Sequence, residues 1–194
     1  MQKDTKVAIK ETFLDLLRAK PFDKITIRDI VETCGINRNT FYYYYSDIYD
    51  LLEEVFKNEI TDLMTVHSSG ASWIKGFIKV AEVAYSNKKI INNICSSRSY
   101  DYLESYMFKA CSFVIIELVN NVAEGMDVPS DDIDFIASFY QHAFFGVISE
   151  WFRTGMRETP EQLAQNFWLI ISGIKQALQR SQKRYKLLKR RGNV

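Results

Sequence analysis

Only three residues, Gly35, Ile36 and Asn37, separate two runs whose apolar positions recur at helical spacing, and so short a gap leaves the chain few options. The first run, Thr26 to Cys34, opens on a good N-cap threonine, with Asp29 three places on as a short acidic stand-in for a capping box. Gly35 stands where a helix ends on a left-handed residue, a conformation that glycine adopts without steric cost. Asn37 is placed to cap a second, short helix from Arg38 to Tyr44. Two helices joined this way must turn sharply, and a three- or four-residue turn containing glycine is the mark of a helix-turn-helix.

The rest of the chain reads as helix too. Val7, Ile9, Phe13, Leu14, Leu16 and Leu17 give a helix over Lys3 to Ala19, stopped by Lys20-Pro21-Phe22-Asp23. Ser46 or Asp47 is expected to cap a fourth helix carrying Leu51, Leu52, Val55, Phe56 and Ile60. After His67-Ser68-Ser69-Gly70, a helix from Trp73 breaks at Ser86-Asn87, and a short apolar piece (Ile90, Ile91, Ile94) precedes Ser96. Long helices are predicted from about Tyr100 to Glu124 and from Ser130, read as an N-cap, to Arg153, with Gly125 and Gly155 as stops. Thr159-Pro160-Glu161-Gln162 combines a cap, a first-position proline and a capping-box glutamine, so a last helix starts there. No alternating strand pattern or repeat interrupts this, and the fold class expected is all-α.

Composition limits what such a chain does. Its 194 residues hold 3 prolines and 8 glycines, which favours long uninterrupted elements. Cys34, Cys95 and Cys111 are odd in number and lack C-x-x-C spacing, so neither disulfides nor a zinc site is expected. No signal peptide and no membrane-spanning apolar run is read, and a cytoplasmic location fits. An enzyme is not expected. His67 and His142 are the only histidines and have no metal-ligand spacing, and no nucleophile elbow or glycine-rich phosphate loop is present. No metal or cofactor is expected. The net charge of +1 hides an asymmetry: Lys175, Arg180, Lys183, Arg184, Lys186, Lys189, Arg190 and Arg191 follow Glu161, the last acid. Removing those eight from 25 cations leaves 17 against 24 acids, a net −7 for the remainder. Such a tail is either a solvated helix end favoured by the macrodipole or an auxiliary nucleic-acid contact.

The chemistry-bearing element is the helix after Gly35. Arg38, Asn39 and Thr40 occupy its first turn, where free N–H groups favour a phosphate. Arginine pairs with guanine, and asparagine with adenine, through two bonds each in the major groove. Phe41 and Tyr45, four apart, share the buried face, leaving Tyr42, Tyr43 and Tyr44 the other directions. Tyrosine hydroxyls bond phosphate, so the tyrosines, with Thr26 and Arg28, would set register while the first turn reads bases. The competing reading makes the tyrosine run simple core packing. Within Met1 to Tyr45 eight cations face six acids, a weak excess for a lone binder but adequate for two copies acting together.

The stretches Phe22-Asp23-Lys24-Ile25-Thr26-Ile27-Arg28-Asp29-Ile30-Val31 and Cys34-Gly35-Ile36-Asn37-Arg38-Asn39-Thr40-Phe41-Tyr42-Tyr43-Tyr44-Tyr45 closely resemble the signature of the TetR/AcrR-type family of transcriptional regulators. The resemblance implies a three-helix helix-turn-helix DNA-binding domain, taken as residues 1–46, and a larger helical ligand-binding and dimerisation domain, residues 47–194. By position it makes Thr26, Arg28, Asn37, Arg38, Asn39, Thr40, Tyr42, Tyr43 and Tyr44 the double-stranded-DNA contacts. Many members carry a phosphate-binding lysine at the start of the fourth helix; here Ile48 stands there, so that contact falls to backbone N–H groups near Asp47 or is lost. Residues 144–156 with Thr159 to Leu163 look like one subgroup's penultimate and last helices, which pair across a two-fold axis. Two stripes, Tyr140, Phe144, Val147, Ile148, Trp151 and Phe167, Trp168, Ile171, Ile174, Leu178, are the expected homodimer interface, against the alternative that they face only the chain's own core. A small-molecule effector pocket is expected among Phe77, Tyr85, Tyr102, Tyr106, Phe108, Phe135, Phe139 and His142. The function expected is a ligand-responsive repressor acting as a homodimer on a palindromic operator. The alternative is a helical adaptor or co-activator working through a protein partner.

Overall fold

A computed structural model describes residues 2–55, 73–97 and 100–190, and among them every regular element is helical. In order these are α1 (Gln2–Ala19), a 3₁₀ turn (Phe22–Lys24), α2 (Ile27–Cys34), α3 (Arg38–Tyr44) and α4, described over 48–55. Then follow α5 (Trp73–Ser86), α6 (Lys88–Cys95), α7 (Tyr100–Ala123), α8 (Ser130–Arg153) and α9 (Pro160–Arg190). Phe56, Ile60 and His67, cited above, lie outside the described residues, as do the side chains of Trp73 and Tyr102.

The N-terminal head is built on one face of α1. Ile9, Phe13 and Leu17 fall four apart and are wholly buried, meeting Phe22, Ile30, Phe41, Tyr45, Leu51 and Leu52. Phe13 stands edge-on to Phe22 at 6.1 Å between ring centroids, and Phe41 lies 5.7 Å from Tyr45. Fully burying each such side chain contributes about 1.5–3 kcal/mol. Lys6 and Lys10 of α1 pair with Glu54 of α4 at 2.7 and 3.5 Å. Partial burial alone would raise the Glu54 carboxyl, but the two lysines hold it below its usual range.

The C-terminal domain packs α7 against α8, with α9 beside both and α5 and α6 closing one end. α7 is apolar and long enough to cross a membrane by length and composition, a run the sequence reading passed over. Here its Leu103, Met107, Cys111, Ile115, Leu118, Val119 and Ala123 are buried within the chain, as the stripe of a core helix must be. Ser130 does not cap α8: it is the first helical residue, its hydroxyl turns to Asp131, and Pro129 precedes the helix without a side-chain cap. The Thr159–Gln162 capping box at α9 forms in both directions.

α6 ties the head to the bundle. Asn93 donates from Nδ2 to the Leu17 carbonyl near the end of α1 at 2.8 Å. Lys88 donates from Nζ to the Met156 carbonyl at 2.9 Å, in the α8–α9 turn. That turn holds Gly155 at φ 75° and buried Met156 at φ 51°, where the Met156 N–H bonds back to the Trp151 carbonyl at 2.7 Å.

Candidate nucleic-acid interface

The capping predicted from sequence fixes the geometry of the two-helix motif. Thr26 Oγ1 accepts from the Asp29 N–H while the Asp29 carboxylate accepts from the Thr26 N–H at 2.8 Å, so the box closes. The Asp29 carboxylate also accepts from Lys20 Nζ at 2.9 Å. Lys20, then the Thr26 amide and hydroxyl, pull its pKa down to about 2. Gly35 adopts φ 66°, and its N–H and that of Ile36 return to carbonyls of α2. Asn37 Oδ1 accepts from both the Thr40 N–H at 2.8 Å and the Thr40 hydroxyl at 3.1 Å, which starts α3.

These bonds sort the nine expected contact residues. The Thr26 and Thr40 hydroxyls and the Asn37 Oδ1 are engaged in capping bonds, which aim α2 and α3. Arg28 donates to Glu32 on its own helix at 2.7 Å. Tyr44 is half-buried, its ring 4.9 Å from that of Tyr43. Arg38, Asn39, Tyr42 and Tyr43 remain, exposed on one short helix whose opposite face is locked by Phe41; Tyr43 is 70% exposed. A guanidinium, a carboxamide and two phenols thus stand in water on a rigid base, the donor and acceptor set that base edges and phosphates require.

The entrance to α4 is different. Asp47 Oδ1 accepts from the N–H groups of Tyr49 and Asp50 at 2.8 and 2.9 Å, and the Asp50 carboxylate accepts from the Ser46 N–H at 3.0 Å. The N–H groups of Ser46, Tyr49 and Asp50 already serve two carboxylates, whose charge repels a phosphate, and Ile48 packs on the core instead. Of the two outcomes left open by sequence, this geometry favours the lost contact. The acids at 47 and 50 were the legible signal.

The expected interface stripes divide. Phe144, Ile148, Trp151, Phe167, Ile174 and Leu178 are buried within the single chain, with Phe144 and Phe167 rings 4.4 Å apart, so they serve its own core. Tyr140 and Ile171 are half-buried, and Val147 and Trp168 are exposed. The pocket candidates divide as well. Phe77 packs against Phe144 and Phe167, Tyr85 stacks on Trp151, and Phe108 meets His142 and Phe145. Tyr106 is half-buried, while Phe135 (73% exposed), Phe139 and His142 lie on the outer face of α8 instead of around an interior cavity. The physical reason is that α8 carries two apolar stripes. The one centred on Phe144 turns inward, and the one at 135, 139, 143 and 147, at the same four-residue spacing, turns out. Leu169, 76% exposed beside Trp168, belongs with the outward set and was missed because the stripe was assigned whole to one face. α8 and α9 cross tightly at Gly173, where a Cβ would stand 2.5 Å from the Tyr140 hydroxyl.

Comparison with known proteins agrees with this architecture. Residues 12–55 match the family described as bacterial regulatory proteins, tetR family, and residues 71–173 match a transcriptional regulator C-terminal region. The chain is 32% identical over 69 residues to the HTH-type dhaKLM operon transcriptional activator DhaS of Lactococcus lactis subsp. lactis (strain IL1403), covering 36% of this chain and 37% of that one. It is 28% identical over 172 residues to the uncharacterized HTH-type transcriptional regulator YxbF of Bacillus subtilis (strain 168), 84% of this chain but 43% of that one. These matches thus span less than half the length of either relative. Among solved structures, the dihydroxyacetone kinase operon activator DhaS superposes with a TM-score of 0.64 at 20% identity, covering 92% of this chain and 96% of that one. A TetR transcriptional regulator from Streptococcus agalactiae 2603V does so with the same score and identity over 88% and 94%. Helix order, the capped two-helix motif and both family matches converge: the chain belongs to the TetR family of transcriptional regulators.

Proposed function

We propose that this regulator works as a homodimer that reads two half-sites of a palindromic operator with paired α3 helices. The observation that carries this reading is the exposed polar set Arg38, Asn39, Tyr42 and Tyr43 on a helix anchored by Phe41. One such helix reads too few base pairs to be selective, whereas two-fold pairing places two in successive major-groove turns. The outward apolar residues Phe139, Val147, Trp168 and Leu169 of α8 and α9 support the pairing, since contiguous exposed apolar surface marks an interaction site. An effector acting on the C-terminal domain would reach the heads through α6, which bonds to α1 at one side and to the α8–α9 turn at the other.

Repression is the outcome we propose, because a dimer seated on its operator blocks other proteins from the same duplex. DhaS, a relative whose name states a direction, is an activator, and this favours activation as the second reading. Transcription in vitro from a bound promoter separates the two by sign. Operator reading itself is tested by titrating DNA from around the chain's own coding region and following fluorescence anisotropy. A two-to-one protein-to-site stoichiometry is expected, and Arg38→Ala should weaken specific binding by about 1–3 kcal/mol if the guanidinium reads a base. Unchanged affinity in Arg38→Ala, with full binding retained, would refute this assignment.

A further inference from the structure

The C-terminal cations form a surface of their own, far from the DNA-reading head. α6 and the α8–α9 turn, which connect to α1, lie at the C-terminal end of α8. The end of α9 lies at the other, where Asp132 in the first turn of α8 accepts from the Ser181 hydroxyl and from Arg184 at 2.7 Å. α8 is 24 residues long, so about 36 Å of helix separates the two ends at about 1.5 Å per residue. Arg180 to Arg190 therefore lie at the far end of α8 from the elements that join the head, which disfavours an auxiliary operator contact.

The solvated-end explanation accounts for only part of this surface. The macrodipole acts within the last turn, which covers Lys189 and Arg190 but not Arg180 or Lys183. Local acids cover Arg184, through Asp132, and Lys189, which stands 3.6 Å from Asp127 and over the Tyr185 ring at 4.3 Å. Arg180, Lys183, Lys186 and Arg190 are exposed, and no ion pair among the described residues engages them. Leu187 stands 49% exposed between them. Arg180, Lys183, Arg184, Leu187 and Leu188 line a shallow, open depression along α9. Positions 180, 183, 184 and 187 recur at three- and four-residue steps, so cations and leucine share one side of the helix.

We propose that this cation–leucine stripe is a docking surface for an acidic amphipathic segment of another protein, one that brings carboxylates on either side of an apolar side chain. Its mixed chemistry sets the partner's class. A nucleic-acid backbone has no use for the leucine, and a lipid surface calls for a broader apolar face than one exposed leucine flanked by cations. A second copy of the stripe would repel the first. The carboxylates of an acidic segment would bond the free guanidinium and ammonium groups while its apolar residue covers Leu187, and the site would remain open while the head holds DNA.

The test uses the full chain and a labelled 15-residue helical peptide with glutamates three and four apart around a central leucine. Its glutamine counterpart, a random 15-base-pair duplex and vesicles of anionic and zwitterionic phospholipid serve as comparators. At 100 mM salt the acidic peptide should bind at least tenfold tighter than each comparator. The Arg180→Gln/Lys183→Gln pair and, separately, Leu187→Ser should each weaken it at least fivefold, with promoter binding and circular dichroism unchanged. Binding of the duplex or vesicles as tight as the peptide would overturn the proposal in favour of a general polyanion or lipid surface. Peptide binding that neither variant changes, or no peptide binding at all, would overturn it outright.

Discussion

α3 and the outer faces of α8 and α9 both expose large aromatic residues, but the residues differ in kind. α3 shows Tyr42 and Tyr43 beside Arg38 and Asn39, so each exposed ring carries a hydroxyl and sits among hydrogen-bonding groups. α8 and α9 show Phe135, Phe139, Val147, Trp168 and Leu169, of which only the indole has a polar atom. The first surface loses little in water and gains from a polar, charged partner. The second remains unfavourable in water until another apolar surface covers it. Surface chemistry thus separates a wet surface from a dry one on the same chain.

The largest effect should come from charging the dry surface. Trp168→Glu places a carboxylate where the proposed mate would bury it twice, once on each protomer, and an unpaired buried charge costs several kcal/mol. Sedimentation should show monomers in the variant and dimers in the parent, with operator affinity falling alongside. Tyr43→Glu, an equal change of charge on the wet surface, should leave the dimer intact. If Trp168→Glu still sediments as a dimer, the dry surface is not the interface and the contrast fails.

A smaller effect isolates aim from contact on α3. Asn37→Ala removes the acceptor of the Thr40 N–H and hydroxyl, at a cost of about 0.5–2 kcal/mol in stability. Chemical denaturation should detect that loss without DNA present, because the side chain is a cap. Tyr43→Phe should do the reverse: stability is retained, while operator affinity drops by about 0.5–1.5 kcal/mol from one missing hydroxyl bond. Equal behaviour of the two variants would erase the distinction between positioning and contacting residues.

That distinction also marks how far the sequence could be read. The caps at Thr26, Asn37 and Thr159 and the left-handed Gly35, Gly125 and Gly155 were legible because each depends on a few neighbouring residues and a backbone need. The burial of Phe41 and Tyr45 followed from four-residue spacing. Spacing does not say which of two apolar stripes on α8 meets α7 and α9, since that depends on residues distant in sequence. Hence periodicity alone does not separate the inward Phe144 and Trp151 from the outward Phe135 and Phe139. Helical spacing sets Arg28 and Glu32 four apart but does not fix that they pair, nor which backbone N–H groups Asp47 and Asp50 take. Those outcomes are competitions between partners, decided only once geometry is fixed.

The smallest effect concerns the ion pair that braces α2. Lys20, ahead of any other group, holds the Asp29 carboxyl near a pKa of about 2, against about 3.9 for an unperturbed aspartate. At pH values between these, the folded chain binds fewer protons at Asp29 than the unfolded chain does, so stability rises with pH across that interval. The contribution is therefore complete above about pH 4 and disappears as pH falls through about 2. Lys20→Met removes the leading cause and leaves the two Thr26 bonds, so the dependence should shrink without vanishing. Comparing denaturation midpoints of parent and variant at pH 2.5, 4 and 7 reads the difference directly. Their separation should narrow as pH falls, and added salt at pH 7 should narrow it too, because this pair is partly exposed on both sides.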